Sequence, residues 1–156
     1  MKLLIAYASK YGCTQECARQ INERLQGQGQ LVDLCQQPKI DPTTYDAVLV
    51  GGSVYAGAVR KEVRNFCKEN QQALLEKRVG IFLSCASPDG DYFTPNFSPE
   101  LVKHAEGKAL VGGRIDMAKM NGFERLIIKM ISKSQGGMNP EINLEAIEAF
   151  AAIFQN

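Results

Sequence analysis

Short apolar runs that alternate with helix-like patterns are the feature that most restricts the fold of this chain. The first run, Leu3–Ala8, is nearly continuous, which is typical of a strand buried on both faces. Further runs of the same kind occur at Leu31–Leu34, Ala47–Gly51, Val79–Ser84 and Ala109–Ile115. Strands that alternate with helices predict a parallel sheet covered by helices on both faces.

Apolar side chains at helical spacing predict the helices between these strands. The predicted helix faces are Thr14, Ala18, Ile21 and Leu25, then Val59, Val63 and Phe66, then Leu101 and Val102, then Phe123–Lys133, and finally Leu144, Ile147, Ala151 and Phe154. Asn143 is the predicted N-cap of the last helix. The predicted order is β-α-β-β-α-β-α-β-α-α, provided that the connection after Leu34 contains no helix.

Length and composition indicate one ordinary globular domain over residues 1–156. The chain is 45% hydrophobic and 22% charged, which excludes a disordered, collagen-like or disulfide-scaffold protein. A net charge of +1 argues against a nucleic-acid partner. Because no apolar run is long enough for a membrane span or a signal peptide, we expect a cytoplasmic protein.

The cysteines give no sign of a disulfide framework or a metal centre. Five are scattered along the chain, and an odd set in a cytoplasmic protein predicts reduced thiols. Cys13 and Cys17 are four residues apart, but His104 is the one histidine and no second pair of ligands accompanies them. The sequence therefore predicts no zinc site.

Three segments follow the carboxyl ends of predicted strands, where open α/β sheets bind their ligands. They are Ser9–Thr14, Ser53–Gly57 and Cys85–Phe93. The first joins a strand to a helix, and helix N-termini offer unpaired N–H groups to an anion. Its hydroxyls and glycine could hold a phosphate without Arg or Lys. The alternative is a simple turn in which Thr14 caps the helix.

Known phosphate motifs differ from this first segment. A dinucleotide fingerprint needs three glycines at fixed spacing, of which only Gly12 is present, and no stretch of the chain matches a P-loop. The other two segments contain aromatic residues beside glycines, notably Tyr55 and Tyr92. Such residues can enclose a flat ring, because aromatic faces stack and glycines allow the backbone to approach.

Two stretches resemble flavodoxins. Ser9–Thr14 is similar to the FMN phosphate loop, Ser/Thr-x-Thr-Gly-x-Thr, with Tyr11 in place of the middle threonine. Tyr45–Gly57 resembles the strand and flavin-flanking loop of the same family. The resemblance implies an α/β, flavodoxin-like, doubly wound five-stranded parallel sheet in the order 2-1-3-4-5, with an extra helix before the C-terminal helix.

The resemblance also implies one FMN, with its phosphate at the first segment and its ring between the other two. Tyr55 and Tyr92 are the best stacking candidates, and Asp89 and Asp91 would disfavour negative charge on a reduced flavin. The cofactor-binding residues that it implies are Ser9, Lys10, Tyr11, Gly12, Cys13, Thr14, Ser53, Val54, Tyr55, Ala56, Gly57, Ser84, Cys85, Ala86, Asp89, Tyr92 and Phe93.

Two features depart from an ordinary flavodoxin. The charge is balanced, whereas flavodoxins are usually acidic, and Phe123–Lys133 is similar to a segment of the menaquinone-dependent protoporphyrinogen oxidases. Those enzymes carry a longer third loop than Ser87–Pro99. The Phe123–Lys133 helix either docks on the body of the protein or, through Arg125, Lys129 and Lys133, contacts an anionic membrane surface.

Three functions therefore compete. The first is an FMN-binding carrier of electrons between redox partner proteins. The second is an FMN-dependent oxidoreductase that passes electrons from a porphyrinogen-like or other substrate to a quinone. The third is a cofactor-free receiver-like module, which Ser9 and Ser53 argue against because they stand where such modules need acidic residues.

Overall fold

A computed structural model of the chain describes residues 1–85, 87, 89–113 and 142–155. In chain order the elements are β1 Leu3–Ala8, α1 Cys13–Arg24, β2 Gly29–Asp33, a 3₁₀ turn at Pro42–Thr44, β3 Ala47–Tyr55, β4 Ala58–Val59, α2 Lys61–Glu69, α3 Gln71–Leu74, β5 Arg78–Ser84, α4 Pro99–His104, β6 Gly107–Leu110 and α5 Leu144–Ile153. The extra helix predicted at Phe123–Lys133 lies outside the described residues.

The sheet has the predicted topology. Its parallel strands follow the order β2-β1-β3-β5-β6, and the two-residue β4 pairs antiparallel with the end of β3. Without that short addition the order is 2-1-3-4-5, so the prediction of a doubly wound parallel sheet is confirmed. The strand order reverses between β1 and β3, whose carboxyl ends meet at Ala8 and Gly52.

Alternation along the strands explains why the apolar runs are continuous. In β1, Leu4 and Ala6 belong to one core cluster, whereas Leu3 and Ile5 belong to the other. Successive side chains of a strand point to opposite faces, and both faces of this sheet are covered, so all of β1 is buried.

One helical layer covers each face of the sheet. Ile21 of α1 and Phe150 of α5 pack in one cluster, and Val63 and Phe66 of α2 pack in the other with Leu101 of α4. Burying a large apolar side chain of this kind contributes about 1.5–3 kcal/mol, which makes these contacts the main support of the sheet. Within the described residues, no helix is long and apolar enough to cross a membrane.

Helix α5 confirms one local prediction and corrects another. Asn143 is its N-cap, and the side-chain oxygen accepts a hydrogen bond from the Ala146 N–H at 3.0 Å. Leu144, which we placed on the buried face, is 52% exposed. It stands in the first turn, beyond the end of the sheet-facing stripe formed by Ile147 and Ala151.

Several boundaries differ from the predictions because strand pairing extends or shortens the elements. β2 begins at Gly29, which pairs with Leu3. β3 continues to Tyr55 because β4 supplies it with a partner, and this places Val59 in β4 instead of on a helix. The strand predicted at Ala109–Ile115 is Gly107–Leu110. The short helix α3 was not predicted.

Candidate functional site

The first segment is a tight turn between β1 and α1. The Ser9 hydroxyl accepts a hydrogen bond from the Gly12 N–H at 2.9 Å, and Gly12 is the N-cap of α1. Gly12 has φ +90°, which L-residues rarely adopt, and apart from its two chain neighbours no described residue comes within 4 Å of the position where a Cβ would be. Open space therefore lies above this turn, at the positive end of the helix.

Thr14 is a buried residue in the first turn of α1 and is not the cap of that helix. Its hydroxyl is 2.7 Å from the Ser84 hydroxyl, and these are the two buried polar residues of the described core. A hydroxyl pair of this kind in the interior contributes about 1 kcal/mol. The bond joins the start of α1 to the carboxyl end of β5, so the first segment is held to the strand from which the third segment leaves.

The second segment is a β-hairpin, which corrects our interpretation of it as a loop. Ser53, Val54 and Tyr55 are the last residues of β3, and only Ala56 and Gly57 form the turn to β4. Their φ angles are +51° and +82°, the signs that a two-residue type I′ turn requires. The second segment therefore extends the sheet at the carboxyl end of β3.

Lys10 connects the first segment to this hairpin. Its ammonium lies 5.2 Å from the centre of the Tyr11 ring and 5.9 Å from the centre of the Tyr55 ring. Both distances are within the range of a cation–π contact. The site therefore contains a basic group, Lys10, which we predicted among the cofactor-binding residues although the loop alone was expected to hold a phosphate without Arg or Lys.

The Tyr55 hydroxyl is buried and has no hydrogen-bond partner among the described residues. A buried, unsatisfied polar group costs about 1–3 kcal/mol, so this hydroxyl calls for a partner such as water, an ion or a ligand. Tyr55 was predicted as a stacking residue. The orphan hydroxyl adds a hydrogen-bonding function to that position.

The third segment folds back on itself. The Tyr92 ring lies against Gly90, where a Cβ would be 2.5 Å from it, and Phe93 packs half-buried against the core. Asp91 accepts hydrogen bonds from the N–H groups of Phe93 and Thr94, and the bonds of Thr94 hold the pKa of that carboxyl below its usual range. Tyr92 is thereby oriented by its own loop, whereas Asp89 is exposed.

Asn96 ties the second and third segments together. Its Nδ2 donates to the Gly57 carbonyl at 3.0 Å and to the Tyr92 carbonyl at 2.9 Å, and its Oδ1 accepts from the Val59 N–H at 3.0 Å. We did not single out this residue in the sequence. No local signal identifies it, because its hairpin partners lie 37 and 39 residues away.

Cys85 lies in the interior at the base of the third segment. Burial raises the pKa of its thiol to about 11, with a smaller contribution from the neighbouring Cys13. A thiol with such a pKa is neutral near pH 7 and a poor nucleophile. Cys85 therefore contributes a small uncharged side chain at the base of the third segment.

The structure thus gathers the predicted residues at one edge of the sheet. Lys10 of the first segment lies near Tyr55 of the second, and Asn96 binds the second and third segments. The Thr14–Ser84 bond joins the first segment to the strand that leads into the third. The open turn at Gly12 suits an anion, and the half-buried tyrosines suit a flat ring. Ala86 lies outside the described residues. Direct contact with a ligand stays a prediction for every residue of the site.

Comparison with known proteins gives two quinone-linked relatives of similar length. The chain is 25% identical to an NAD(P)H dehydrogenase (quinone) of Rhizobium rhizogenes, over 93% of this chain and 90% of the relative. It is 22% identical to a protoporphyrinogen IX dehydrogenase [quinone] of Escherichia coli, over 88% of this chain and 82% of the relative.

The fold and the family agree. The structure resembles oxidised flavodoxin 1 from Bacillus cereus with a TM-score of 0.62 at 17% identity, covering 99% of this chain and 97% of the flavodoxin. The family model described as a flavodoxin domain matches residues 4–140, which include all three segments of the site. With that match over most of its length, the chain belongs to the flavodoxin family.

Proposed function

We propose that this protein binds one FMN and carries electrons between redox partners. The observation that supports the proposal most is the linked arrangement of the three segments at the topological switch point of a flavodoxin-family sheet. FMN is the flavin that this family binds. Both ends of the cofactor find a suitable environment here, an open helix N-terminus for the phosphate and an aromatic wall for the ring.

The residues divide into two groups under this proposal. Ser9, the Gly12 turn and the first amides of α1 hold the phosphate, while Tyr55 and Tyr92 flank the ring. The flavin supplies the one- and two-electron chemistry. Lys10, beside Tyr55, brings a positive charge close to the ring and favours added negative charge there. The exposed carboxylates of Asp89 and Asp91 disfavour negative charge on the ring.

The direct test is the identity of the bound cofactor. Protein purified from cells should be yellow, and heat extraction should release a compound with the flavin spectrum and the mass of FMN, about one per chain. Release of riboflavin, FAD or no flavin would contradict the proposal. A colourless protein that fails to take up added FMN would favour the cofactor-free alternative.

A quinone-linked oxidoreductase is the second candidate. Two observations favour it: both relatives described above carry quinone in their names at near full-length coverage, and the net charge is +1. The test is steady-state reduction of a menaquinone analogue, with protoporphyrinogen or NADPH as the electron donor. Turnover would establish the enzyme, and its absence with a readily reduced flavin would favour the carrier.

We also propose that residues 1–156 form one domain that works in the cytoplasm with protein or quinone partners. The membrane contact considered for Phe123–Lys133 falls outside the described residues. Flotation with anionic vesicles at low salt tests it. Association that is lost on replacing Arg125, Lys129 and Lys133 with glutamine would support a membrane contact, and absence of association would remove it.

A further inference from the structure

A cavity lies between α2 and α4, apart from the Ser9–Thr14 turn. Its volume is about 410 Å³, which is within the range of small-molecule sites. Its floor contains the buried side chains of Cys67, Phe97 and Leu101. We name it the α2–α4 groove.

The charge in the α2–α4 groove has one sign. Arg64 and Lys68 line it from adjacent turns of α2, four residues apart and therefore on the same side of the helix. No Asp or Glu is among its lining residues. Burial raises the pKa of the Cys67 thiol to about 12, so this residue adds no negative charge.

Both cations keep donors available. Arg64 uses Nε to bind the Val59 carbonyl at 2.8 Å, which holds the guanidinium in place. Among the described residues, its terminal nitrogens and the Lys68 ammonium have no acceptor. The nearest carboxylates on α2 are already paired, Glu62 with Arg60 at 3.0 Å and Glu69 with Lys39 at 3.1 Å. The side-chain amides of Asn65 and Gln71 add further donors to the wall.

We propose that the α2–α4 groove binds a small organic phosphate, whose dianionic group meets Arg64 and Lys68 and whose apolar part covers the floor. Two positive charges with no acid among the lining residues favour a dianion over a singly charged carboxylate. A concave site with an apolar floor favours a small molecule over an extended acidic surface. The proposal goes beyond the flavin function and does not depend on it.

The groove also touches the clamp between the second and third segments. Asn96 forms part of its wall, and the same side chain binds the Gly57 and Tyr92 carbonyls. A molecule in the groove therefore contacts the residue that fixes the hairpin and the third loop relative to one another. Binding of a molecule in the groove would therefore alter the contacts of Asn96 with the hairpin and the third loop, which border the flavin site.

The test uses the full chain, ¹⁵N-labelled and titrated with 1-naphthyl phosphate to about 10 mM. The expected result is saturable amide shifts within residues 64–71 and 96–101. 1-Naphthoate should bind several-fold more weakly than the phosphate, and neutral 1-naphthol should give no saturable shift. Shifts confined to residues 9–14, or equal binding by 1-naphthol, would overturn the proposal. Equal or tighter binding by 1-naphthoate would overturn the preference for a phosphate.

Two matched variants test whether a positive charge inside the groove contributes to phosphate binding. Lys68→Gln removes a charge from the groove, whereas Lys61→Gln removes the same charge from the same helix outside it. We expect Lys68→Gln to weaken 1-naphthyl phosphate binding by about threefold to fivefold and Lys61→Gln to leave it within about twofold. Equal weakening by both would show non-specific attraction and would overturn the proposal. Both lysines are exposed, so the folded state should tolerate either change.

Discussion

At the scale of single residues, Gly12 is the position where backbone conformation and ligand access coincide. It caps α1 with φ +90°, and the space beside it is open. Gly27 offers a matched control, because it also has a positive φ of +71° and open space, but it follows the far end of α1. The pair therefore separates backbone strain from an effect on binding.

Gly12→Ala and Gly27→Ala should each destabilise the fold by about 1–2 kcal/mol, since an L-residue is strained in the left-handed region. Only Gly12→Ala should also weaken FMN binding, because its methyl group enters the space that the phosphate needs. Urea unfolding measures the first effect and fluorescence titration the second. Equal FMN affinity in the two variants would place the phosphate elsewhere.

The Thr14–Ser84 hydroxyl pair makes a separate prediction about stability. Thr14→Val keeps the shape but leaves the Ser84 hydroxyl buried without its 2.7 Å partner, at a cost of about 1–3 kcal/mol. Thr14→Val/Ser84→Ala should cost less than the sum of the single changes, because no partner is left unsatisfied. Additive losses in a double-mutant cycle would show that the two hydroxyls do not interact.

At the scale of elements, the site depends on two segments that Asn96 holds together. Asn96→Asp keeps the oxygen that accepts from the Val59 N–H but sets a carboxylate against the Gly57 and Tyr92 carbonyls. We expect faster hydrogen exchange throughout residues 56–59 and a more mobile third loop. Asn65→Asp also changes an amide in the wall of the α2–α4 groove, but at an exposed position that forms none of these three hydrogen bonds, so it is the control and should leave this exchange unchanged. Unchanged exchange in Asn96→Asp would show that other contacts hold the hairpin.

The elements that local sequence could predict are those whose signal is contained within them. The apolar run of β1 predicts its burial on both faces of the sheet, and Asn143 is recognisable in the sequence as the N-cap of α5. By contrast, β3 extends to Tyr55 because Val59 pairs with Val54, a contact that no periodicity in β3 reveals. Leu144 fits the helical stripe but lies beyond the sheet.

For the site, as for the elements, the sequence predicts positions along the chain but not the contacts between distant residues. The positions of its three segments follow from the rule for strand ends, and the segments do meet there. The orientation of the side chains does not follow, as the buried Thr14 hydroxyl and the back-folded Tyr92 ring show. The roles of Asn96 and of the cations of the α2–α4 groove depend on contacts with residues distant in the sequence, so local sequence does not predict them.

For the molecule as a whole, two buried thiols make the free energy of unfolding depend on pH in the alkaline range. Burial raises the pKa of Cys67 to about 12 and that of Cys85 to about 11, from an ordinary value of 9.0. Above pH 9 the unfolded chain loses these protons while the folded chain keeps them, so the unfolded state binds fewer protons and stability falls. Their contribution is complete below pH 9 and is lost as pH rises to the folded values.

The expected slope is about 1.4 kcal/mol per pH unit for each thiol between pH 9 and 11. Cys67→Ala should therefore reduce the pH dependence of the unfolding free energy in that window by about this amount. Cys35→Ala, at an exposed position, is the control and should change the slope less. An unchanged slope in Cys67→Ala would mean that its thiol ionises equally in both states.

In the flavin site that we propose, the turn at Gly12 holds the phosphate of the flavin and the ring lies against the Tyr55 hairpin. Titration of the flavin-free full chain with FMN and with riboflavin tests it most directly. We predict one FMN per chain and binding of riboflavin that is weaker by at least about tenfold, since riboflavin lacks the phosphate and with it charge-assisted hydrogen bonds worth about 1.5–3 kcal/mol each. Equal affinity for the two flavins, or no binding of either, would contradict the account.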